Sequence, residues 1–242
     1  MVNSTEYMLH ARIMISRTVL LAICLLSTGC TIPLFKHPLE SPDVATVPTQ
    51  LFGVYKQVGG PDNLAHHVHV GPAGADAPAG VFRFVSISQP RDTVTPLKAT
   101  QGYGIATRMG DVLVLQIPVY SSTDQSNGAQ LDCEKWDESA ILGYIFMRVR
   151  IEANRIEMSQ VDDHFVASVI ENGKLCGSVE RREKTYTVQM KDDGERGNTT
   201  IHESKTEAVT VTETPGLLRP FIQANMESGL FSDTVTTFER ND

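Results

Sequence analysis

The stretch from Ile141 to Ile151 constrains the fold most, because its side chains alternate with a period of two. One face carries Ile141, Ile145, Met147, Val149 and Ile151, and the other carries Tyr144, Phe146, Arg148 and Arg150. Successive side chains of a β-strand point to opposite sides, so this alternation predicts a half-buried strand. Residues 152–155 follow as a turn into an apolar segment at 156–158, which predicts a hairpin.

Short apolar runs of the same kind recur through the rest of the chain. They occur at residues 51–55, 81–87, 112–117, 186–190, 209–211 and 231–238. The run at 112–117 is rich in β-branched and apolar residues on both faces, which predicts a strand in the centre of a sheet. Residues 71–80 and 120–140 are rich in glycine or polar residues, and we expect them to form loops.

Two segments have helical spacing instead. In the first, Asp162 caps a helix with Phe165, Val166, Val169 and Ile170 on its apolar face and Gly173 at its end. In the second, Thr214 and Pro215 begin a helix with Leu217, Leu218, Phe221 and Ile222 on its apolar face and Gly229 at its end. Pro220 falls inside this second helix, where it removes a backbone hydrogen bond. The expected fold is therefore α+β and β-rich: a mostly antiparallel, curved sheet or partial barrel with two short helices.

Gly53-Val54-Tyr55 lies on the first strand of the body, and Arg240 lies on the last. These residues resemble a pattern of the lipocalin-like barrels, the calycins, in which a Gly-x-Trp on the first strand packs against an arginine from the end of the barrel. The resemblance covers a handful of residues, and Tyr55 stands where the family has tryptophan. It implies a closed or half-closed antiparallel barrel; the alternative is two ordinary terminal strands.

The first 30 residues have the order of a bacterial export signal. Arg12 and Arg17 are followed by an apolar stretch at 18–26 and by small residues that lead into Cys30. The apolar stretch is far shorter than the roughly 20 residues that span a bilayer, which favours a cleaved signal over a transmembrane helix. The alternatives are an ordinary secretory signal with a chance cysteine and a buried helix of a cytoplasmic protein. Translation can begin at Met1, Met8 or Met14.

Ser27-Thr28-Gly29-Cys30 resembles the lipobox of bacterial lipoproteins. Gly29 fits the small residue that precedes the cysteine, whereas the family's usual leucine three positions before the cysteine is Ser27 here. The resemblance implies that residues 1–29 are removed and that acyl groups such as palmitate on Cys30 hold the protein on the lipid bilayer of the cell envelope. Thr31, in place of aspartate, resembles the class that is sorted to the outer membrane. The body also resembles uncharacterised envelope lipoproteins, which imply no activity.

Four prolines between Cys30 and residue 49 predict a semi-extended tether, since proline fixes φ and removes a backbone donor. We expect residues 50–242 to form a single β-rich domain. The net charge of the chain is −8, and removing 1–29 takes away two arginines and one glutamate, which leaves −9. An acidic body argues against nucleic acid as a partner, because phosphate binding needs clustered lysine and arginine.

Two cysteines remain in the body once the signal and the lipidated residue are set aside. They are Cys133 and Cys176, and an exported protein meets an oxidising compartment. These facts predict a Cys133–Cys176 disulfide, and the alternative is two separate buried thiols.

The most conspicuous candidate for a metal site is His66-His67-Val68-His69. On a strand His67 and His69 point the same way, and two imidazoles at that spacing can share a metal ion. A third ligand would have to come from His202, Glu203 or Asp62, and the alternative is a polar strand edge. Asp192-Asp193-Gly194-Glu195 has three carboxylates but lacks the spacing of a calcium loop, so we expect a solvated turn.

No catalytic motif and no cofactor-binding motif is present in the sequence. The expected function is therefore a non-enzymatic envelope lipoprotein that binds a small apolar ligand or an envelope protein. The alternative is an envelope hydrolase, and a metal ion bound by His67 and His69 could take part in its reaction. A deep apolar pocket would favour ligand binding, and a cleft in which histidine and carboxylates converge would favour the enzyme.

Overall fold

Eight antiparallel strands close into a barrel in the computed structural model of this protein. The structure describes residues 31–60, 64–90, 97–120, 136–192 and 195–241. The strands are β1 (Leu34–Phe35), β2 (Gly53–Val58), β3 (Leu64–Pro72), β4 (Val81–Pro90), β5 (Lys98–Met109), β6 (Val112–Tyr120), β7 (Ile141–Glu152), β8 (Arg155–Gln160), β9 (Gly177–Asp192), β10 (Glu195–Val211) and β11 (Thr236–Arg240). Two α-helices, α1 (Asp163–Glu171) and α2 (Pro215–Asn225), lie between β8 and β11 along the chain.

The barrel runs in the order β2-β3-β4-β5-β6-β7-β8-β11, and β11 pairs with β2 to close it. Every neighbouring pair in this ring is antiparallel. Beyond the ring, β1 pairs with β7 on one side and with β10 on the other, and β9 forms a long hairpin with β10. The predicted β-rich α+β fold is confirmed, and its curved sheet is a closed barrel with extra strands.

Two hydrophobic cores lie on opposite sides of the barrel wall. The inner core contains Leu113, Leu115 and Ile117 of β6, while Val112 and Val114 of the same strand belong to an outer core. All nine residues of β6 are buried, which confirms the central strand predicted there. The outer core is completed by residues of β1, β10 and both helices, so the sheet is covered on this side as well.

The strand predicted at 141–151 is present as β7, and its two faces are those expected from the sequence from Tyr144 onward. The prediction is wrong for Ile141, which packs against the outer core, because the ladder with β6 shifts its register between Val119 and Tyr120. Ile145, Met147 and Val149 face the inner core, while Tyr144 and Phe146 face the outer core. The prediction of a half-buried strand is wrong for 143–147, where every residue is buried. The reason is β1, which covers the outer face: the rings of Phe35 and Phe146 stack at 4.0 Å between centroids.

Residues 31–48 lie against the body, which corrects the semi-extended tether expected from the prolines. Phe35, Leu39 and Ala45 are at most 4 % exposed. The backbone N–H of Leu39 donates to the side-chain oxygen of Gln116 at 2.5 Å, and the amide of that buried glutamine donates to Thr107. Apolar anchors on this segment outweigh the local preference of proline for extended chain, because burying each large side chain contributes about 1.5–3 kcal/mol.

The first predicted helix agrees with α1 in detail. Asp162 is its N-cap and accepts a hydrogen bond from the N–H of Phe165 at 2.7 Å, and Gly173 adopts φ 66° just after the helix. The second helix, α2, contains Pro220 as expected, but Leu217 is 64 % exposed and does not belong to its buried face. Helix α2 ends at Asn225, before Gly229.

The predicted hairpins are also present. Strands β7 and β8 are joined at residues 153–154, and β9 and β10 meet at the Asp192–Glu195 pair, with 193–194 outside the described residues. The apolar run at 231–238 forms only a single bridge at Phe231 before β11 begins at Thr236. No helix in the described part of the chain is long and apolar enough to cross a membrane.

Candidate ligand-binding cavity

A cavity of about 360 Å³ occupies the interior of the barrel. Its wall is formed by alternate residues of the strands, because only every second side chain of a strand points inward. On β3 these are Val68 and Val70, and on β4 they are Phe82, Phe84 and Ser86. The remaining strands contribute six further apolar side chains: Leu115, Ile117, Met147, Ile156, Met158 and Phe238. Polar lining residues also occur, at Ser159, Gln160, Ser232, Thr234 and Thr236 among others.

One end of the barrel is closed by the turn of 3-10 helix at Thr49–Leu51, which precedes β2. Leu51 is 1 % exposed and lines the cavity. The hydroxyl of Tyr55 donates to the carbonyls of Gln50 and Leu51, both at 3.1 Å, and so holds this turn against the barrel. We call this end the closed end.

The residues that carry the calycin resemblance meet at the closed end. The guanidinium of Arg240 lies over the ring of Tyr55 and donates a hydrogen bond to the carbonyl of Phe52. A Cβ at Gly53 would lie 2.8 Å from Nε of Arg240, so glycine makes room for the arginine. This arginine thus joins β11 to β2 in addition to the backbone ladder between the two strands.

The opposite end is the open end. Because the strands alternate in direction, β2, β4, β6 and β8 all end there, and the described segment that follows β8 begins there. The rim includes Thr31, Asp162 and Asp163. Thr31 is held in place, since its N–H donates to Oδ2 of Asp163 at 3.2 Å and its hydroxyl donates to the carbonyl of Thr206 at 3.0 Å.

The described lining residues include two carboxylates, those of Asp162 and Asp163, and no lysine or arginine. Both carboxylates lie at the rim, where each also accepts a backbone hydrogen bond. The interior thus has an apolar floor and a polar, acidic rim, a distribution that suits a molecule with an apolar body and an uncharged or cationic polar end.

A buried polar cluster interrupts the apolar wall. It consists of Ser86, which lines the cavity, His66, which is within hydrogen-bond distance of Ser86, and Gln57, which is within hydrogen-bond distance of the histidine. Nε2 of His66 lies 2.8 Å from the hydroxyl of Ser86, and Nδ1 lies 3.1 Å from the side-chain oxygen of Gln57. The histidine is 2 % exposed and its ring meets that of Phe238 edge-on at 5.8 Å. Burial, with a smaller effect of the nearby His67, lowers the pKa of His66 to about 4.

Ser86, His66 and Gln57 have the order of a nucleophile, a base and a group that orients the base. A nucleophile also needs donors for the oxyanion, which are commonly backbone N–H groups beside it. Ser86 is in mid-strand, paired with Val68 on one side and Thr100 on the other, so its backbone polar groups belong to the sheet. This arrangement suits recognition of a bound polar group better than catalysis.

The role of His66 was not predicted, although the sequence contains a signal for it. His66 lies two residues before Val68 and four before Val70, so all three side chains point to the same face of β3, which is the face toward the barrel interior. The metal-site prediction concerned His67 and His69, which alternate with these residues and so share the outer face of β3.

The structure brings no third ligand to His67 and His69 from the described residues, which contain no group of three His, Cys, Asp or Glu side chains that could hold a metal ion. His202 and Glu203 lie on β10, which is not a neighbour of β3 in the sheet. Asp62 lies outside the described residues.

Of the cysteines in the predicted disulfide and the predicted lipidation site, Cys176 is the one that the structure describes. Cys176 is exposed and lies just before β9, where its N–H donates to a carboxylate oxygen of Glu213 at 3.3 Å. Cys133 and Cys30 lie outside the described residues. The Cys133–Cys176 disulfide and the lipidation of Cys30 stay predictions.

No protein-family model matches this chain, and neither the curated proteins nor the solved structures give a match. The function is therefore argued from the barrel, its cavity and its rim.

Proposed function

We propose that this protein is a non-enzymatic lipoprotein of the bacterial envelope whose barrel binds a small apolar or amphiphilic molecule. The observation that carries the proposal is the apolar cavity of about 360 Å³ inside the barrel. Pockets for small molecules commonly measure about 300–1,000 Å³, are mostly apolar and contain a few polar groups. The cavity is at the small end of that range, which favours a single small molecule or a short acyl chain.

The position of Thr31 supports an envelope role. Thr31 is bonded to Asp163 at the rim, and consecutive Cα atoms in a chain are only about 3.8 Å apart. Acyl groups on Cys30 would therefore be attached close to the open end, and the cavity would open toward the membrane surface. Apolar molecules accumulate there, so ligand could pass between bilayer and barrel without crossing much water. The outer membrane remains the compartment that Thr31 favours.

Ligand binding is tested by filling the cavity. The side chain of Val68 lines the cavity, and His69 is the next residue along β3, exposed on the outer face. Val68→Trp places an indole inside the barrel, and His69→Trp adds the same group outside as a matched control. Titration with an environment-sensitive naphthylamine probe should show at least about tenfold weaker binding for Val68→Trp, since the ligand and the indole compete for the same space. Equal affinity in the wild type and both variants would mean that the probe does not bind in the barrel.

Anchoring is tested separately. Mass spectrometry of the protein from its native membrane should show an acylated cysteine at position 30 as the first residue, and Cys30→Ala should leave unprocessed precursor or released protein. An unmodified N-terminus at another position would contradict the lipoprotein proposal and leave the cavity proposal intact.

A further inference from the structure

Ser86 is one of the polar residues that line the cavity, whereas His66 and Gln57, which hold its hydroxyl, are not among the lining residues. His66 is buried between Ser86 and Gln57, with both ring nitrogens within hydrogen-bond distance of a partner. A ring held on both sides cannot rotate to suit a ligand. The hydrogen-bonding direction of Ser86 is therefore set by the protein and not by the ligand.

That direction follows from the chemistry of the two partners. The side-chain oxygen of Gln57 can only accept, so Nδ1 of His66 carries the proton and donates to it. Burial lowers the pKa of His66 to about 4, so the ring is neutral near pH 7 and its Nε2 is an acceptor. The hydroxyl of Ser86 then donates its one proton to Nε2 at 2.8 Å. What Ser86 presents to the cavity is an oxygen lone pair.

The charges of the cavity limit the polar end of a ligand further. The described lining residues offer no lysine or arginine to neutralise a carboxylate or phosphate. The carboxylates of Asp162 and Asp163 at the rim repel an anion in addition. An anionic head group would lose its hydration without gaining a counter-charge, which is costly in an apolar interior.

We infer that the cavity selects amphiphiles that carry no negative charge and donate a hydrogen bond to Oγ of Ser86, with long-chain alcohols and hydroxyl-bearing lipid fragments as the chemical class. The inference rests on the proposed ligand-binding function and names the kind of molecule bound. It makes Ser86 the residue that determines specificity and His66 the residue that positions its hydroxyl.

The test compares three ligands that share one chain length: 1-decanol, decyl methyl ether and decanoate, each used to displace the naphthylamine probe at pH 7.5. The ether has the oxygen of the alcohol but no proton to donate. Decanol should bind about tenfold more tightly than the ether, the effect of one buried hydrogen bond, and decanoate should bind most weakly. Because all three ligands are measured on the unmodified protein, the result does not depend on whether a variant folds.

Two variants then locate the preference. Ser86→Ala should reduce the ratio of alcohol to ether affinity to about one while leaving the ether unchanged, since only the hydrogen bond is removed. Thr236→Val removes a different lining hydroxyl and should keep the tenfold ratio. His66→Gln should lower the ratio without abolishing ether binding, as expected of a positioning residue.

The outcomes separate this inference from the function on which it rests. If the probe and all three ligands fail to bind, the proposed function is wrong. If the ether and the alcohol bind the unmodified protein equally, if decanoate binds best, or if Ser86→Ala keeps the preference for alcohol, the cavity binds ligands but the role assigned to Ser86 is wrong.

Discussion

Arg240 lies over the ring of Tyr55, with its guanidinium carbon 5.7 Å from the ring centroid. The two residues are also register partners in the ladder between β11 and β2, where the barrel closes. Arg240 in addition donates to the carbonyl of Phe52. The side chain of Arg240 thus links β11, β2 and the end of the 3-10 turn at the closed end of the barrel.

Replacing this arginine should destabilise the barrel. Arg240→Ala removes a cation–π contact and a hydrogen bond to a backbone carbonyl, so we expect the free energy of unfolding to fall by about 1–3 kcal/mol. Arg155→Ala is the matched control, because the side chain of Arg155 is 45 % exposed and forms ion pairs with Glu152 and Glu157 at the surface. That variant should lose less than about 1 kcal/mol. Urea unfolding measures the free energy of unfolding of both variants. If both lose the same amount, the contact of Arg240 with Tyr55 and Phe52 stabilises the barrel no more than a surface ion pair does.

The segment before the barrel offers a second comparison. Phe35→Ala removes a ring that is fully buried and stacked on Phe146, and it should cost about 3–5 kcal/mol. Val44→Ala, in the same segment, should change stability by less than about 0.5 kcal/mol because Val44 is 67 % exposed. If both variants unfold at the same urea concentration, residues 31–48 do not contribute to the stable structure. The prediction of a semi-extended tether would then be correct.

The sequence predicts those features of the fold that depend on neighbouring residues, such as strands and their faces. The alternation correctly assigns the faces of β7 from Tyr144 to Ile151, because successive side chains of a regular strand point to opposite sides. It fails at Ile141, where a register shift in the ladder with β6 interrupts the alternation. What covers a face depends on a distant segment: Phe35 pairs with Tyr144 across a large separation in sequence, and no local pattern records that pairing. Strand β5 was missed for a local reason, since Gly102 and Gly104 interrupt its apolar pattern.

The candidate site was harder to predict than the fold. The sequence indicated three histidines near one another and suggested metal chemistry for His67 and His69, which point outward. The cluster that faces inward joins β2, β3 and β4 through Gln57, His66 and Ser86, and its significance depends on closure of the barrel around it. Closure is a property of the whole strand order, so a single sequence pattern does not contain it.

The two helices allow a controlled test of capping. Asp162 accepts a hydrogen bond from the first turn of α1, whereas the side chain of Thr214 makes no such bond at the start of α2. Asp162→Ala should therefore lower the free energy of unfolding by about 1 kcal/mol. Thr214→Ala should have a clearly smaller effect in the same urea titration. A larger loss for Thr214→Ala would contradict the capping difference.

Buried His66 makes stability depend on pH, and the sign follows from the direction of its pKa shift. Burial lowers the pKa of His66 from 6.5 to about 4 in the folded protein, with a smaller effect of His67. Between these two values the unfolded chain binds a proton at this residue and the folded protein does not. The contribution of the neutral ring is therefore complete above pH 6.5 and is lost as the pH falls toward 4, by about 3 kcal/mol in all.

Urea unfolding at pH 7 and at pH 5 measures this dependence. The wild type should lose about 2 kcal/mol of unfolding free energy over that interval through His66, most of the total linked to this residue. His66→Gln keeps hydrogen-bonding groups at the position but does not titrate, so the same pH change should cost this variant about 2 kcal/mol less than it costs the wild type. Other titrating groups contribute equally to both proteins and cancel in the comparison. If the two proteins lose stability in parallel, His66 is not held neutral in the barrel, and its Nε2 is not the acceptor that orients the hydroxyl of Ser86.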